Sequence, residues 1–187
     1  MGVVGLDLST RIDYYFDEPG PLNTDRVIEA VSLRINETGI RKVIVASTSG
    51  RTALKFAKAL KGKASIIAVS YRDMEPSIVG ELKSLGVEVV ERCHLPLHVK
   101  GVDLARNAYY TLGQGFKVAV EVTLIAVDKG LVKVGEQVIS VGGTDVGADT
   151  AVIVKASSSS EMFTGPIDRR LEVVELIAMP RHKKFWE

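Results

Sequence analysis

Cysteine, glutamine and asparagine are all scarce in this chain, and no apolar run approaches the length that a bilayer demands. The one cysteine, Cys93, forbids an internal disulfide and suits a reducing compartment. Glutamine occurs only at 114 and 137 and asparagine only at 23, 36 and 107, a shortage of thermolabile residues that points to a thermophilic source. Neither a stretch of about 18 apolar residues nor a basic-then-apolar leader is present, so the sequence predicts a cytoplasmic protein with no membrane partner. Charge of one sign is missing too. With 24 basic against 23 acidic residues and a formal net charge of +1, no basic face announces nucleic acid.

What is present fits one α/β domain over residues 1–187, a length that buries roughly 70% of the unfolded surface. Short β-branched runs alternate with amphipathic helical patterns, which predicts a three-layer α/β/α fold around a mostly parallel sheet. The first strand is expected over Arg11 to Phe16, followed by the turn Glu18-Pro19-Gly20-Pro21. Asn23 or Thr24 caps a helix with an apolar face of Val27, Ile28, Val31 and Ile35, ended by Gly39. Strands follow at Val43 to Ala46, Ile66 to Val69 and Val87 to Val90, with helices through Leu54 to Leu60 and Pro76 to Leu85 between them. Residues 93 to 101 read as a loop and Val102 to Leu112 as a helix. Lys117 to Lys129 carries a strand-like alternation at Val118, Val120 and Val122, yet its length and its Asp128-Lys129-Gly130 ending favour a helix. Strands at Gln137 to Val141, Thr150 to Lys155 and Leu171 to Met179 complete the pattern. The last basic run, Arg181 to Lys184, reads as a solvated tail.

The chemistry concentrates in two turns. Ser47-Thr48-Ser49-Gly50-Arg51-Thr52 lies between a strand and a helix, where unspent N–H groups and the helix dipole favour an anion. Hydroxyls at 47, 48, 49 and 52 add donors, Gly50 lets the backbone come close, and Arg51 can supply a two-pronged charge-assisted contact. Plain helix capping by Thr48 or Ser49, with Arg51 in water, stays open as the other reading. The second turn, Gly142-Gly143-Thr144-Asp145-Val146-Gly147-Ala148-Asp149-Thr150, can cradle an anion with N–H groups and threonine hydroxyls. Its acids Asp145 and Asp149 suit ligand hydroxyls, as on a sugar or ribityl chain, or simply close an Asx-turn. Loops at the carboxyl ends of neighbouring parallel strands meet over one crevice, so the two turns are expected to share a ligand.

Glu121 is a lone carboxylate among Val118, Ala119, Val120, Val122, Leu124 and Ile125. It is a candidate proton-transfer group or ligand contact, and a structural hydrogen bond is the alternative. Cys93, His94 and His98 follow no common zinc spacing, so no metal site is expected, and no base for a Cys93 nucleophile is visible.

The segment Val43 to Tyr71 resembles the carboxy-terminal α/β domain of pyruvate kinases in its order of strand, Ser-Gly-Arg turn, helix and Ile-Ile-Ala-Val strand. Further stretches are Val118-Ala119-Val120-Glu121-Val122-Thr123, Val141-Gly142-Gly143-Thr144, Gly147-Ala148-Asp149-Thr150-Ala151-Val152 and Met179-Pro180-Arg181. With these the chain is similar to an archaeal family of standalone proteins built like that domain. The resemblance implies the fold, and a phosphate held by the first turn, as the allosteric sugar bisphosphate is in the kinases. Pyruvate kinase activity is not expected, because the kinases' catalytic groups sit on a separate barrel of about 250 residues. The stretch from Cys93 to Asp103 departs from the family pattern. Two functional expectations follow. In one, the chain is a binding module for a phosphorylated small molecule, flavin mononucleotide being favoured because hydroxyl-and-acid turns suit a ribityl phosphate. In the other, it is a small enzyme acting on a phosphorylated metabolite or using the flavin, with Glu121 or Asp149 moving the proton. Exposed apolar helix faces leave self-association open.

Overall fold

Residues 8–184 are described by the computed structural model, and their strands form one seven-stranded sheet. In chain order the strands are β1 (Tyr14–Phe16), β2 (Lys42–Ala46), β3 (Ser65–Val69), β4 (Glu88–Val90), β5 (Gln137–Gly142), β6 (Thr150–Lys155) and β7 (Glu172–Pro180). The helices are α1 (Thr24–Thr38), α2 (Arg51–Ala59), α3 (Pro76–Ser84), α4 (Asp103–Tyr110) and α5 (Gln114–Asp128). Across the sheet the order is β1-β7-β6-β5-β2-β3-β4. Only β6 runs against its neighbours, so the sheet is mostly parallel, as the alternation of patterns predicts.

Both faces of the sheet are covered, which is why the central strands are apolar at successive positions rather than every second one. Val43 and Val45 of β2 turn to one side, where they meet Val27 and Val31 of α1, Phe56 and Leu60 of α2 and Leu82 of α3. Ile44, between them, faces Val122, Ile125 and Ala126 of α5 on the other side. The stretch with the mixed pattern is indeed helical and begins three residues earlier than Lys117. Its residues 119 to 127 are all buried, so in place of an apolar stripe it carries an apolar surface nearly all round.

The edge of the sheet differs from expectation. β1 spans Tyr14–Phe16 and does not reach back to Arg11. Asp13 instead binds the buried Arg34 guanidinium of α1 at 2.7 Å, and Arg34 also pairs with Glu37 at 3.2 Å and with Glu175 of β7. A side chain with five N–H donors thus fastens α1 to the β1–β7 edge. The basic run at the end is no free tail either, since Arg181 pairs with Asp17 at 3.8 Å and His182 with Glu18 at 2.9 Å.

β2 and β5 lie side by side and parallel, in register Val43 to Ile139 through Val45 to Val141. From their carboxyl ends the chain leaves in opposite directions across the sheet, toward β3 after β2 and toward β6 after β5. Such a switch opens a crevice between the departing loops.

Candidate functional site

A cleft of about 1040 Å³ occupies that crevice. Ser47, Thr48, Ser49 and Thr52 of the β2–α2 turn form one wall, and Gly143, Asp145, Val146 and Gly147 of the β5–β6 turn form another. Its volume is at the upper end for small-ligand pockets, which run to about 1,000 Å³.

The first turn is held open by its own backbone. Gly50 adopts φ +86°, and a methyl group there would come within 2.7 Å of Ile78 Cγ2 on α3, so glycine is required twice over. Ser47 is the residue that spends its hydroxyl on capping: its Oγ accepts from Ala53 N at 3.3 Å, deeper in the helix than Thr48 or Ser49 was expected to reach. Ser49 Oγ accepts from Arg51 N at 3.4 Å. Among the described residues no hydrogen-bond partner is found for the N–H groups of Thr48, Ser49 and Thr52. Three backbone donors are therefore left at the end of α2 where its dipole is positive.

Arg51 does not join them. Its side chain is 71% exposed and pairs with Glu75 at 2.9 Å, and it contributes nothing to the cleft wall. One guanidinium nitrogen of Arg51 faces both carboxylate oxygens of Glu75, the residue just before α3, in place of the two-pronged phosphate contact expected of it.

The second turn also divides otherwise than expected. Asp149 is fully buried. Its Oδ2 accepts from Gly20 N at 3.0 Å and Thr144 N at 2.9 Å, and its Oδ1 from Thr150 Oγ1 at 2.8 Å. Both oxygens accept from protein donors, which ties the turn to the loop before α1, and neither Asp149 nor Thr150 is among the residues that line the cleft. Gly142 is present for packing, because a side chain there would collide with the Gly115 carbonyl at the start of α5. Gly143 does face the cleft, yet a side chain on it would strike the Gly147 carbonyl. Thr144 is buried with no partner for its Oγ1, and it too stands back from the wall.

The floor belongs to α5, whose Gln114, Lys117, Val118, Glu121, Val122 and Ile125 line the cleft. Lys117 and Glu121, each 3% exposed, form an ion pair at 3.0 Å one helical turn apart. Glu121 Oε1 also accepts from Leu97 N at 3.0 Å, the structural hydrogen bond that was the alternative for this carboxylate, while the side chain lines the cleft. Lys117 Nζ lies 3.1 Å from His98 Nε2. Burial, then the Lys117 ammonium, holds the His98 imidazole below its ordinary pKa, with Glu121 opposing. In the neutral tautomer with the ring proton on Nδ1, Nε2 can accept from Lys117.

Sequence reading missed Lys117, Gln114 and the pairing of His98 with α5. The signal was there in part: Lys117 and Glu121 are the charged residues before the last position of a mostly apolar helix, at the spacing that puts both on one face. The contact from His98 was invisible, since only the tertiary fold brings residues 95–98 over α5. His94 is exposed, and burial pushes the buried Cys93 thiol up, away from nucleophilic use. Among the described residues no group of three or more His, Cys, Asp or Glu side chains could hold a metal ion, and no helix is long and apolar enough to cross a membrane.

A family model described as the pyruvate kinase alpha/beta domain matches residues 25–154, from α1 through β6 and so across both turns. Among solved structures, a Cryptosporidium parvum pyruvate kinase in complex with ADP is similar over 74% of this chain at 18% identity, with a TM-score of 0.43. A crystal structure of O-ureido-L-serine synthase is similar over 56% of this chain and 38% of its own, at 20% identity and a TM-score of 0.32. The present chain spans 25% of the matched pyruvate kinase.

Proposed function

This chain belongs to the pyruvate kinase alpha/beta domain family, and from that premise we propose that it is a binding module for a phosphate-bearing small molecule seated between the β2–α2 and β5–β6 turns. The observation that carries the reading is the set of unspent N–H groups of Thr48, Ser49 and Thr52 at the head of α2. Phosphate oxygens satisfy three such donors at once, and the hydroxyls of Thr48, Ser49 and Thr52 stand beside them.

The rest of the wall selects the body of the ligand. Asp73, Glu75, Glu121 and Asp145 outnumber Arg72 and Lys117 around the cleft, which disfavours a second phosphate and favours hydroxyls that can donate. Val69, Leu95, Val118, Val122 and Ile125 offer an apolar surface for a flat ring, and the buried Oε1 of Gln114 lacks a donor. One phosphate, a hydroxylated chain and an aromatic ring describe flavin mononucleotide. A phosphorylated small metabolite turned over by the chain is the second reading, and the buried Lys117–Glu121 pair on the floor is what favours it. The buried lone cysteine supports a cytoplasmic setting, and the shortage of Asn and Gln supports a thermophilic one.

Calorimetric titration with flavin mononucleotide and with riboflavin tests the proposal. The phosphorylated form is expected to bind about tenfold or more tightly, since 1.4 kcal/mol is tenfold and a charged hydrogen bond contributes about that much or more. Equal binding of the two would contradict a phosphate site, and binding of a sugar monophosphate with neither flavin would retain the site and reject the flavin.

A further inference from the structure

Lys117, Glu121 and His98 make up a group that binding alone does not require. Two oppositely charged side chains, each 3% exposed, are costly to bury on the floor of a cleft, and hydrophobic residues of the same size would cover α5 as well. The third member reaches them from another element. His98 ends a short helical turn, Pro96–His98, that is pinned down when Glu121 Oε1 accepts from Leu97 N. The imidazole, 40% exposed, reaches both the cleft and the Lys117 ammonium. Lys117 Nζ has three donors, of which Glu121 Oε2 takes one and His98 Nε2 a second. The ammonium also lies 5.8 Å from the centre of the Tyr110 ring, so an entering acceptor takes the place of one of these partners.

We propose that Lys117, Glu121 and His98 form an acid–base site that takes a proton from, and returns it to, a phosphate monoester carrying a carbonyl group next to a C–H bond. The inference rests on the phosphate reading of the β2–α2 turn, which holds the far end of the same molecule. When the carbonyl oxygen arrives at Lys117, the ammonium gives up His98 for it, and Nε2 is freed as a base. The C–H bond then breaks, its electron pair moves onto the carbonyl oxygen, and the proton passes to His98 Nε2. The ammonium faces the resulting enolate, and the carboxylate of Glu121, 3.9 Å from Nε2, faces the imidazolium. Return of the proton to the same carbon, after the imidazolium has exchanged with water, gives exchange with solvent; where that carbon bears a hydroxyl, whose proton passes by way of Lys117 to the former carbonyl oxygen, return to the neighbouring carbon gives isomerisation. No oxidant, metal or second substrate enters the balance. His98 and Lys117 are the catalytic residues, and Glu121 positions both.

The test follows hydrogen exchange by proton NMR in deuterium oxide. The probes are phosphorylated hydroxycarbonyl compounds of three, five and six carbons, dihydroxyacetone phosphate being the smallest, and calorimetry on the same samples records which of them bind. The expected result is loss of the C–H signal beside the carbonyl of at least one bound probe, at ten or more times the buffer rate. His98→Gln, in an exposed loop position, should abolish the gain without unfolding the protein. Lys117→Met should do the same, and the double variant Lys117→Met with Glu121→Gln guards against failure to fold by removing both buried charges together. Glu121→Gln should move the acid limb of the rate against pH to lower pH, because the carboxylate supports the charged imidazole; a merely structural Glu121 would leave that limb in place. Binding without exchange overturns the inference and leaves the phosphate site standing. Exchange that persists in both His98→Gln and Lys117→Met also overturns it, as does failure of every probe to bind while flavin mononucleotide or inorganic phosphate does. If nothing phosphorylated binds, the phosphate reading falls and the inference with it.

Discussion

A glycine, a histidine and an arginine show how single residues set this site. Gly50→Ala combines a left-handed backbone with a methyl group against Ile78 Cγ2, so it should lower stability by about 1–3 kcal/mol in urea denaturation. His98 is held below the ordinary imidazole value of 6.5 by burial and by Lys117. The native state therefore binds this proton less readily than the unfolded chain, and its contribution to stability, full above the ordinary value, is lost as pH falls from there through the lowered folded value. His98→Gln should remove that part of the fall, measured as the change in urea midpoint between about pH 7.5 and pH 5.5. Arg51, whose position in the sequence made it the obvious phosphate clamp, is engaged with Glu75 in solvent. Arg51→Ala should change the affinity for flavin mononucleotide by less than about 1 kcal/mol in calorimetry, the range of an exposed charge contact.

Among the elements, α5 carries the most information that the sequence withheld. Helix type and approximate span were legible from length and from the Asp128-Lys129-Gly130 ending, and the fold class was legible from the alternation of apolar runs. Spacing alone could not separate side chains that line the cleft from those that brace it. Asp149 and Thr150 carry ligand chemistry in a list of residues, but Gly20 and Thr144, one of them 129 positions away, consume Asp149. Gly142 reads as a loop glycine, yet its role is to let Gly115 of α5 settle on the end of β5. Gly142→Ala should therefore displace α5 and destabilise the protein by about 3 kcal/mol or more, checked by thermal unfolding, because the obstruction is backbone and cannot rotate aside. The position of the Ser47 turn between a strand and a helix was legible from the sequence; which hydroxyl caps the helix required the tertiary structure.

At the scale of the molecule, the site exists because β5 and β2 are parallel neighbours whose chains depart to opposite sides, leaving the head of α2 and the floor of α5 facing one space. The edge is secured separately by Arg34, so Arg34→Met should cost about 3–5 kcal/mol in urea denaturation, leaving Asp13, Glu37 and Glu175 clustered without their cation, while affinity for flavin mononucleotide stays unchanged. The central claim is that phosphate is held by the free backbone donors of the β2–α2 turn. Amide proton–nitrogen NMR spectra during titration with flavin mononucleotide, and in parallel with inorganic phosphate, test it most directly. The amides of Thr48, Ser49 and Thr52 should show the largest shifts with both titrants and smaller ones with riboflavin; shifts absent from these three amides while others move would contradict it.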